Sequence, residues 1–217
     1  MRLKFARLEG AANLSHLDQI RVLRDMAAAS GLDCLSAKHG RNLVPKMAFG
    51  PALSSGYESR CEYADLYLAQ PCKEDVVKVK LEAVKSEAFT LLSVKRVPVF
   101  FPSIEASVSA AGYLIEADFK GGFSQDAVAA FFARVSCPYE KVKSTGVAET
   151  IDVRPLVLGA EFNEAAGTLR LTLKMEPGKN VKPEAVLCVM AGREMKTTKV
   201  VREELYWLDS KGKLEVI

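Results

Sequence analysis

Hydrophobic and polar positions alternate at the start of the chain. Leu3, Phe5 and Ala6 stand against Arg2, Lys4 and Arg7, the period-two pattern of a half-buried strand with one irregularity. After Gly10 the period changes to that of a helix. Leu17, Ile20, Leu23 and Ala27 recur on one face, and Ser15-His16-Leu17-Asp18 supplies the helix start. The Ser15 hydroxyl can accept from an orphan backbone N–H, and Asp18, three residues on, can answer it, as in a capping box. Gly31 stands where that helix should stop. Residues 32–56 are rich in Gly, Pro, Ser and Asn, with strand character only around 33–36 and 47–49, so this stretch reads as a long loop region. A strand over 58–68, a helix over about 73–87 after Pro71 and a strand over 89–97 follow. The order is β-α-β-β-α-β, the split βαβ or ferredoxin-like arrangement.

The run Val97-Pro98-Val99-Phe100-Phe101-Pro102 breaks the pattern and reads as a joint, since proline disfavours continued strand or helix. A second round then begins with a strand over 112–119 and a helix over 125–135 capped by Ser124. Strands over 150–163 and 168–175 form a hairpin across Glu164-Ala165-Ala166-Gly167. Pro183 sits in the first turn of a helix that runs to Ala191 and stops at Gly192, and a strand over 199–207 closes the round. The expected fold is therefore α+β, two tandem ferredoxin-like (βαββαβ) units with antiparallel sheets, over residues 1–102 and 103–217.

Composition fits a chain that buries a real core, with 49% hydrophobic and 26% charged residues among its 217. Charges interrupt the first ten residues where a signal peptide needs an apolar run, and no stretch approaches the roughly 20 apolar residues of a membrane helix. The expected compartment is the cytoplasm, with no membrane partner. Five cysteines, Cys34, Cys61, Cys72, Cys137 and Cys188, are scattered without metal-site spacing, and neither a glycine-rich phosphate loop nor a dinucleotide fingerprint is present, so neither a metal nor another cofactor is expected. Net charge is unevenly shared. Residues 1–102 hold 15 Lys/Arg against 11 Asp/Glu, and residues 103–217 hold 15 against 16. That excess in the first half can attract phosphate but falls short of a dedicated nucleic-acid patch.

Candidate chemistry concentrates in the first half. His16 lies at a helix N-terminus, where exposed N–H groups favour an anion; the plain alternative is a half-buried histidine in the capping turn. Arg21 and Arg24 are neighbours on one side of that helix. Arg41 and Lys46 flank Asn42 in the loop that follows, and a loop folded over the helix would bring four cations together on a phosphate or carboxylate. The competing reading is a solvated face paired with Asp18 and Asp25. Glu58 and Glu62 share one strand face with Asp65 on the other, without a pattern for acid–base work. Tyr57 and Tyr113 offer rings that would stack bases on an open sheet face or fill the core. In the second half, strand alternation places Asp152 and Arg154 on one side, where they can pair, and Lys182 and Arg202 complete the basic set.

Many of these residues carry a resemblance. Phe5, Ser15-His16-Leu17-Asp18, Arg21, Arg24, Gly40, Asn42, Pro45-Lys46 and Phe49-Gly50-Pro51-Ala52-Leu53 are similar to a radical-SAM-linked family of uncharacterised bacterial proteins, found beside or fused to radical S-adenosylmethionine proteins. Gly56, Ser59, Glu62-Tyr63 and Asp65 extend it. So do Ile151-Asp152-Val153-Arg154-Pro155-Leu156, Lys182-Pro183-Glu184, Val186-Leu187, Arg202 and Leu205-Tyr206. The family's Gly-Phe-Asn-Pro-His-Pro-Lys loop reads here as Gly40-Arg41-Asn42-Leu43-Val44-Pro45-Lys46, without the aromatic, one proline and the histidine. The Cys-x3-Cys-x2-Cys triplet of radical SAM enzymes is absent. The resemblance thus implies a companion of a radical SAM protein rather than the catalyst. Together with the basic residues it leads to an expectation of a noncatalytic module that binds RNA or a small anionic substrate through Ser15, His16, Asp18, Arg21, Arg24, Arg41, Asn42 and Lys46. The alternative is a metal-independent RNA-processing nuclease using His16 as its acid or base.

Overall fold

The alternation at the start of the chain becomes β1 (Arg2–Arg7), whose inward positions Leu3 and Phe5 are buried. In the computed structural model of the protein, residues 1–217 are described except 99, 120, 143–145, 147, 177 and 179, so Val99 of the proline-bearing run lies outside the described residues. The chain divides into two units, Met1–Val108 and Ser109–Ile217.

In the first unit β1 is followed by α1 (His16–Ala29), β2 (Ser36–His39), β3 (Asn42–Pro45), β4 (Met47–Phe49), β5 (Glu58–Leu66), α2 (Glu74–Glu82), β6 (Thr90–Lys95) and α3 (Ile104–Ser107). Its sheet runs β6-β1-β5-β4 with every neighbour antiparallel. Leu3 on β1 packs with Ala27 of α1, Val77 and Leu81 of α2, Leu66 and Val94. Phe5 joins Leu23, Ala64 and Phe89, and meets the Phe89 ring edge-on at 5.2 Å between centroids. Two helices therefore cover one face of the sheet, which is where the 3.6-residue periodicity pointed. Residues 36–45, expected as loop, form the hairpin β2–β3 instead. Its strands are mostly exposed, so no buried stripe marked them in the sequence. The two-residue turn Gly40-Arg41 has Gly40 at φ +61°, the left-handed first position that a tight hairpin of this length reserves for glycine.

The second unit contains β7 (Ala110–Ala117), α4 (Gln125–Phe132), β8 (Pro138–Val142), β9 (Ala148–Asp152), β10 (Val157–Asn163), β11 (Thr168–Lys174), α5 (Pro183–Ala191), β12 (Thr197–Leu208) and β13 (Leu214–Val216). Its strands run β10-β11-β7-β12-β13, again all antiparallel. Residues 150–163 are not one strand. Asp152 Oδ1 accepts from the Cys137 backbone N–H at 2.8 Å and from the Arg154 N–H at 3.1 Å. A 3₁₀ turn over Arg154–Leu156 follows, with Pro155 inside it, and separates β9 from β10. β9 pairs instead with β8 as a hairpin of its own. Within β7, a Cβ at Gly112 would stand 3.3 Å from the Tyr206 ring and hydroxyl of the neighbouring strand, a tight contact that glycine avoids. Among the described residues no helix is long and apolar enough to cross a membrane.

Candidate functional site

The start of α1 forms as its residues dictate. Ser15 has extended backbone, and its hydroxyl oxygen accepts from the Asp18 N–H at 3.1 Å while donating to Asp18 Oδ2 at 2.6 Å. Asp18 also forms an ion pair with Arg21. The Ser15 hydroxyl first, and Arg21 with it, hold the Asp18 carboxyl below its ordinary range. Asp18 thus stays ionised and committed to the helix start, a poor second acid for the nuclease expected at His16, which is half-buried in the first turn.

The remaining candidates take separate neighbours. The Arg24 guanidinium lies 5.6 Å from the Phe49 ring centroid. Arg41 and Asn42 are exposed at the tip of the β2–β3 hairpin, with Asn42 opposite His39. Lys46 turns to β5, its ammonium 4.7 Å from the Tyr67 ring centroid, while its backbone N–H donates to the Leu35 carbonyl at 2.6 Å. Ser15, Asp18 and Arg21 are joined directly, whereas Arg24 and Lys46 rest on different aromatic rings.

Lys46 also lines a cavity of about 450 Å³ at the end of β5 in the first unit. Arg96, Asp65, Tyr67 and Phe101 share that lining with apolar and proline residues. Asp65 is buried and already engaged. Arg2 Nε and NH2 donate to its two oxygens at 2.8 and 3.0 Å, and the Ile104 N–H, inside the first turn of α3, donates at 3.2 Å. The fork matches the carboxylate's charge, and Lys46 and Arg96 bring further cations to the lining. Glu74, the first residue of α2, accepts from the Arg96 backbone N–H at 2.5 Å, not from its guanidinium. The Tyr67 and Phe101 rings give the cavity an aromatic side. Arg96, Tyr67 and Phe101 escaped sequence reasoning because the lining joins segments around residues 1, 35, 46, 65–72 and 96–103. The one readable signal was charge complementarity between Arg2 and Asp65, which face each other across the β1–β5 ladder.

Other singled-out residues are structural. Arg7 is completely buried and donates to the carbonyls of Ala12, Leu14, Ser54 and Tyr57 and to Gln19 Oε1 at 2.8–3.3 Å. Gln19 in turn donates to the buried Glu62 carboxylate at 3.4 Å. Tyr57 and Tyr113 are core residues at 6% and 9% exposure, so neither is an open stacking platform. Arg154 does not pair with Asp152 through strand alternation, because the chain turns there; its guanidinium lies 4.7 Å from the Phe132 centroid and 5.8 Å from that of Phe131. Lys182 is the N-cap residue of α5 without a side-chain cap bond, and Arg202 is completely buried on β12.

A family profile described as an uncharacterized protein conserved in bacteria (DUF2344) matches residues 1–183. Comparison with curated proteins gives no sequence match. Among solved structures, a chain from "Crystal Structure of a Cbf5-Nop10-Gar1 Complex" is similar at a TM-score of 0.49 and 9% identity, over 93% of this chain and 48% of that one. The present chain therefore spans about half the length of that neighbour.

Proposed function

We propose, on the premise that this chain belongs to the bacterial family DUF2344, that it is a noncatalytic binding module whose first unit holds RNA or a small anionic substrate in the cavity beside Lys46. One observation carries the reading: the cavity presents Lys46 and Arg96, while its buried carboxylate, Asp65, is already matched by Arg2. An anion entering there gains two cations without competing with a free carboxylate. The Tyr67 and Phe101 rings suit a ligand that is part aromatic, such as a nucleotide. Arg21 and Arg24 of α1 and Arg41 at the hairpin tip supply further cations for a longer RNA, Arg21 from within its ion pair with Asp18.

Two further parts of the reading rest on narrower ground. Both units place their strands in an order that fits a βαββαβ arrangement, with β2–β3 and β8–β9 as added hairpins, which supports tandem ferredoxin-like units. The companion role beside a radical SAM protein is supported by the sequence resemblance alone.

Fluorescence anisotropy with a short single-stranded RNA, competed by AMP and by inorganic phosphate, tests the site. The double variant Lys46→Ala/Arg96→Ala should weaken binding by about tenfold or more and flatten its salt dependence. Arg21→Ala/Arg24→Ala should weaken only the longer RNA. Absence of binding by RNA, AMP and phosphate alike would remove the anion reading. For the companion role, co-purification with a radical SAM protein from native lysate is the decisive measurement, and recovery of none would remove it.

A further inference from the structure

The first unit holds an arginine that its own side chains leave without an acceptor. Arg7, Arg24 and Arg154 each bury the Nε atom of the guanidinium. Arg7 spreads its terminal nitrogens over four carbonyls and Gln19 Oε1, and Arg154 reaches two carbonyls at 3.5 Å. Arg24 has neither a hydrogen-bond nor an ion-pair partner among the described residues. Helix spacing explains the difference from its neighbour. The positions three and four away from Arg24 on α1 are Ile20, Arg21, Ala27 and Ala28, none of them an acid. Arg21, by contrast, pairs with Asp18 three residues before it.

What Arg24 does have is a ring. Its guanidinium carbon lies 5.6 Å from the centroid of Phe49, which packs against the Phe5, Leu23, Ala64 and Phe89 cluster. The ring therefore belongs to the core of the unit and offers the cation a fixed support. Because Nε is closed off, the edge left open is the one that carries the two terminal nitrogens. That edge donates two parallel N–H bonds, the geometry that matches two oxygens of a phosphate. A half-buried donor group without an acceptor is costly, and a bound oxyanion would remove that cost.

We infer that Arg24 is a phosphate-binding residue that grips two oxygens end-on through its terminal nitrogens while Phe49 supports it. Arg24 is not part of the lining of the Lys46 cavity, so this is a second phosphate contact on the first unit. That the phosphate belongs to an RNA chain rests on the function proposed above; a small phosphorylated molecule presents the same oxygens. Arg21 is the weaker candidate, since Asp18 already meets its charge.

The buried Arg24 Nε–H is a direct reporter in the full chain labelled with ¹⁵N-arginine, and its signal is identified by its loss in Arg24→Lys. Inorganic phosphate, titrated at constant ionic strength, should move that signal in a saturable way, and acetate should bind at least about fivefold more weakly. With a single-stranded RNA long enough to leave the cavity, Arg24→Lys should weaken binding about fivefold, because an ammonium keeps the charge but not the fork. Arg21→Ala should change it less than about twofold. A still Arg24 signal up to about 50 mM phosphate, acetate equal to phosphate, or equal losses in Arg24→Lys and Arg21→Ala would overturn the assignment. RNA binding that depends on Lys46 and Arg96 while Arg24 stays silent would remove this site and leave the cavity reading standing. A phosphate response at Arg24 without any RNA binding would support the site and assign it to a small phosphorylated molecule.

Discussion

Each unit fastens an irregular stretch of backbone with one arginine, and the two do so by different chemistry. Arg7 is buried in the first unit and spreads its guanidinium over four carbonyls and the Gln19 side chain, stitching residues 12–19 to residues 54–57. Arg154 in the second unit lies on the Phe131 and Phe132 rings beside the β9–β10 bend, with only long contacts of 3.5 Å to the Val157 and Phe132 carbonyls. The first anchor depends on the fork and its donors; the second depends on a flat cation above aromatic faces. Burial sharpens that difference, since an unmatched carbonyl in the core costs far more than a lost stack at a half-exposed edge.

Removing the first anchor should produce the largest effect. Arg7→Met should destabilise by about 3 kcal/mol or more in urea unfolding, because buried carbonyls and Gln19 Oε1, on the amide that holds Glu62, lose their donor. Arg7→Lys should recover little of it, since an ammonium cannot span five acceptors; a cost below about 1 kcal/mol for either would break the distinction between the two anchors. Arg154→Leu should cost only about 1–2 kcal/mol, and Arg154→Lys less, by the same measurement.

The helix starts offer a smaller version of the same contrast. Ser15 makes a side-chain cap and Ser124 makes none. Ser15→Ala should therefore cost about 1 kcal/mol, and Ser124→Ala only a few tenths; equal costs would remove the cap from the account of α1. The smallest effect concerns the bend itself. Backbone bonds, that from Cys137 foremost, hold the Asp152 carboxyl below its usual range. A depressed carboxyl contributes stability above its unfolded pKa and loses it as pH falls through the folded value. The gap in melting temperature between the protein and Asp152→Asn should be open at neutral pH and close in acid below the ordinary carboxylate range. A gap that persists there would show that shape, not charge, matters at this position.

Elements that bury a regular stripe were legible from the chain alone. The Ile20/Leu23/Ala27 spacing, the Ser15–Asp18 pair and Gly31 placed α1, although Leu17, expected on the same face, is 76% exposed, and Pro183 with Gly192 placed α5. The hairpins β2–β3 and β8–β9 were not legible. β2 and β3 are mostly exposed and carry no alternation, and β9 reads without a break into β10 unless Asp152 and Pro155 are recognised as a turn. Of the candidate site, only the local part could be seen. Ser15, Asp18 and Arg21 are three residues apart and meet through helix geometry, whereas Lys46, Tyr67 and Arg96 meet only because β4, β5 and β6 share one sheet. Side chains brought together by long-range pairing leave no local pattern to read.

The Arg7 cluster also sets an order of events while the chain is being made. Its strongest acceptors, the carbonyls of Ser54 and Tyr57, lie 47 and 50 residues further along. At about 10 residues per second, the first strand waits on the order of five seconds before they are synthesised. Throughout that interval the guanidinium has only its nearby acceptors, Ala12, Leu14 and Gln19, so its burial between β1 and α1 is incomplete. The first unit is thereby kept from settling prematurely around half a sheet, and the arrival of residues 54–57 is the moment at which its core can shut.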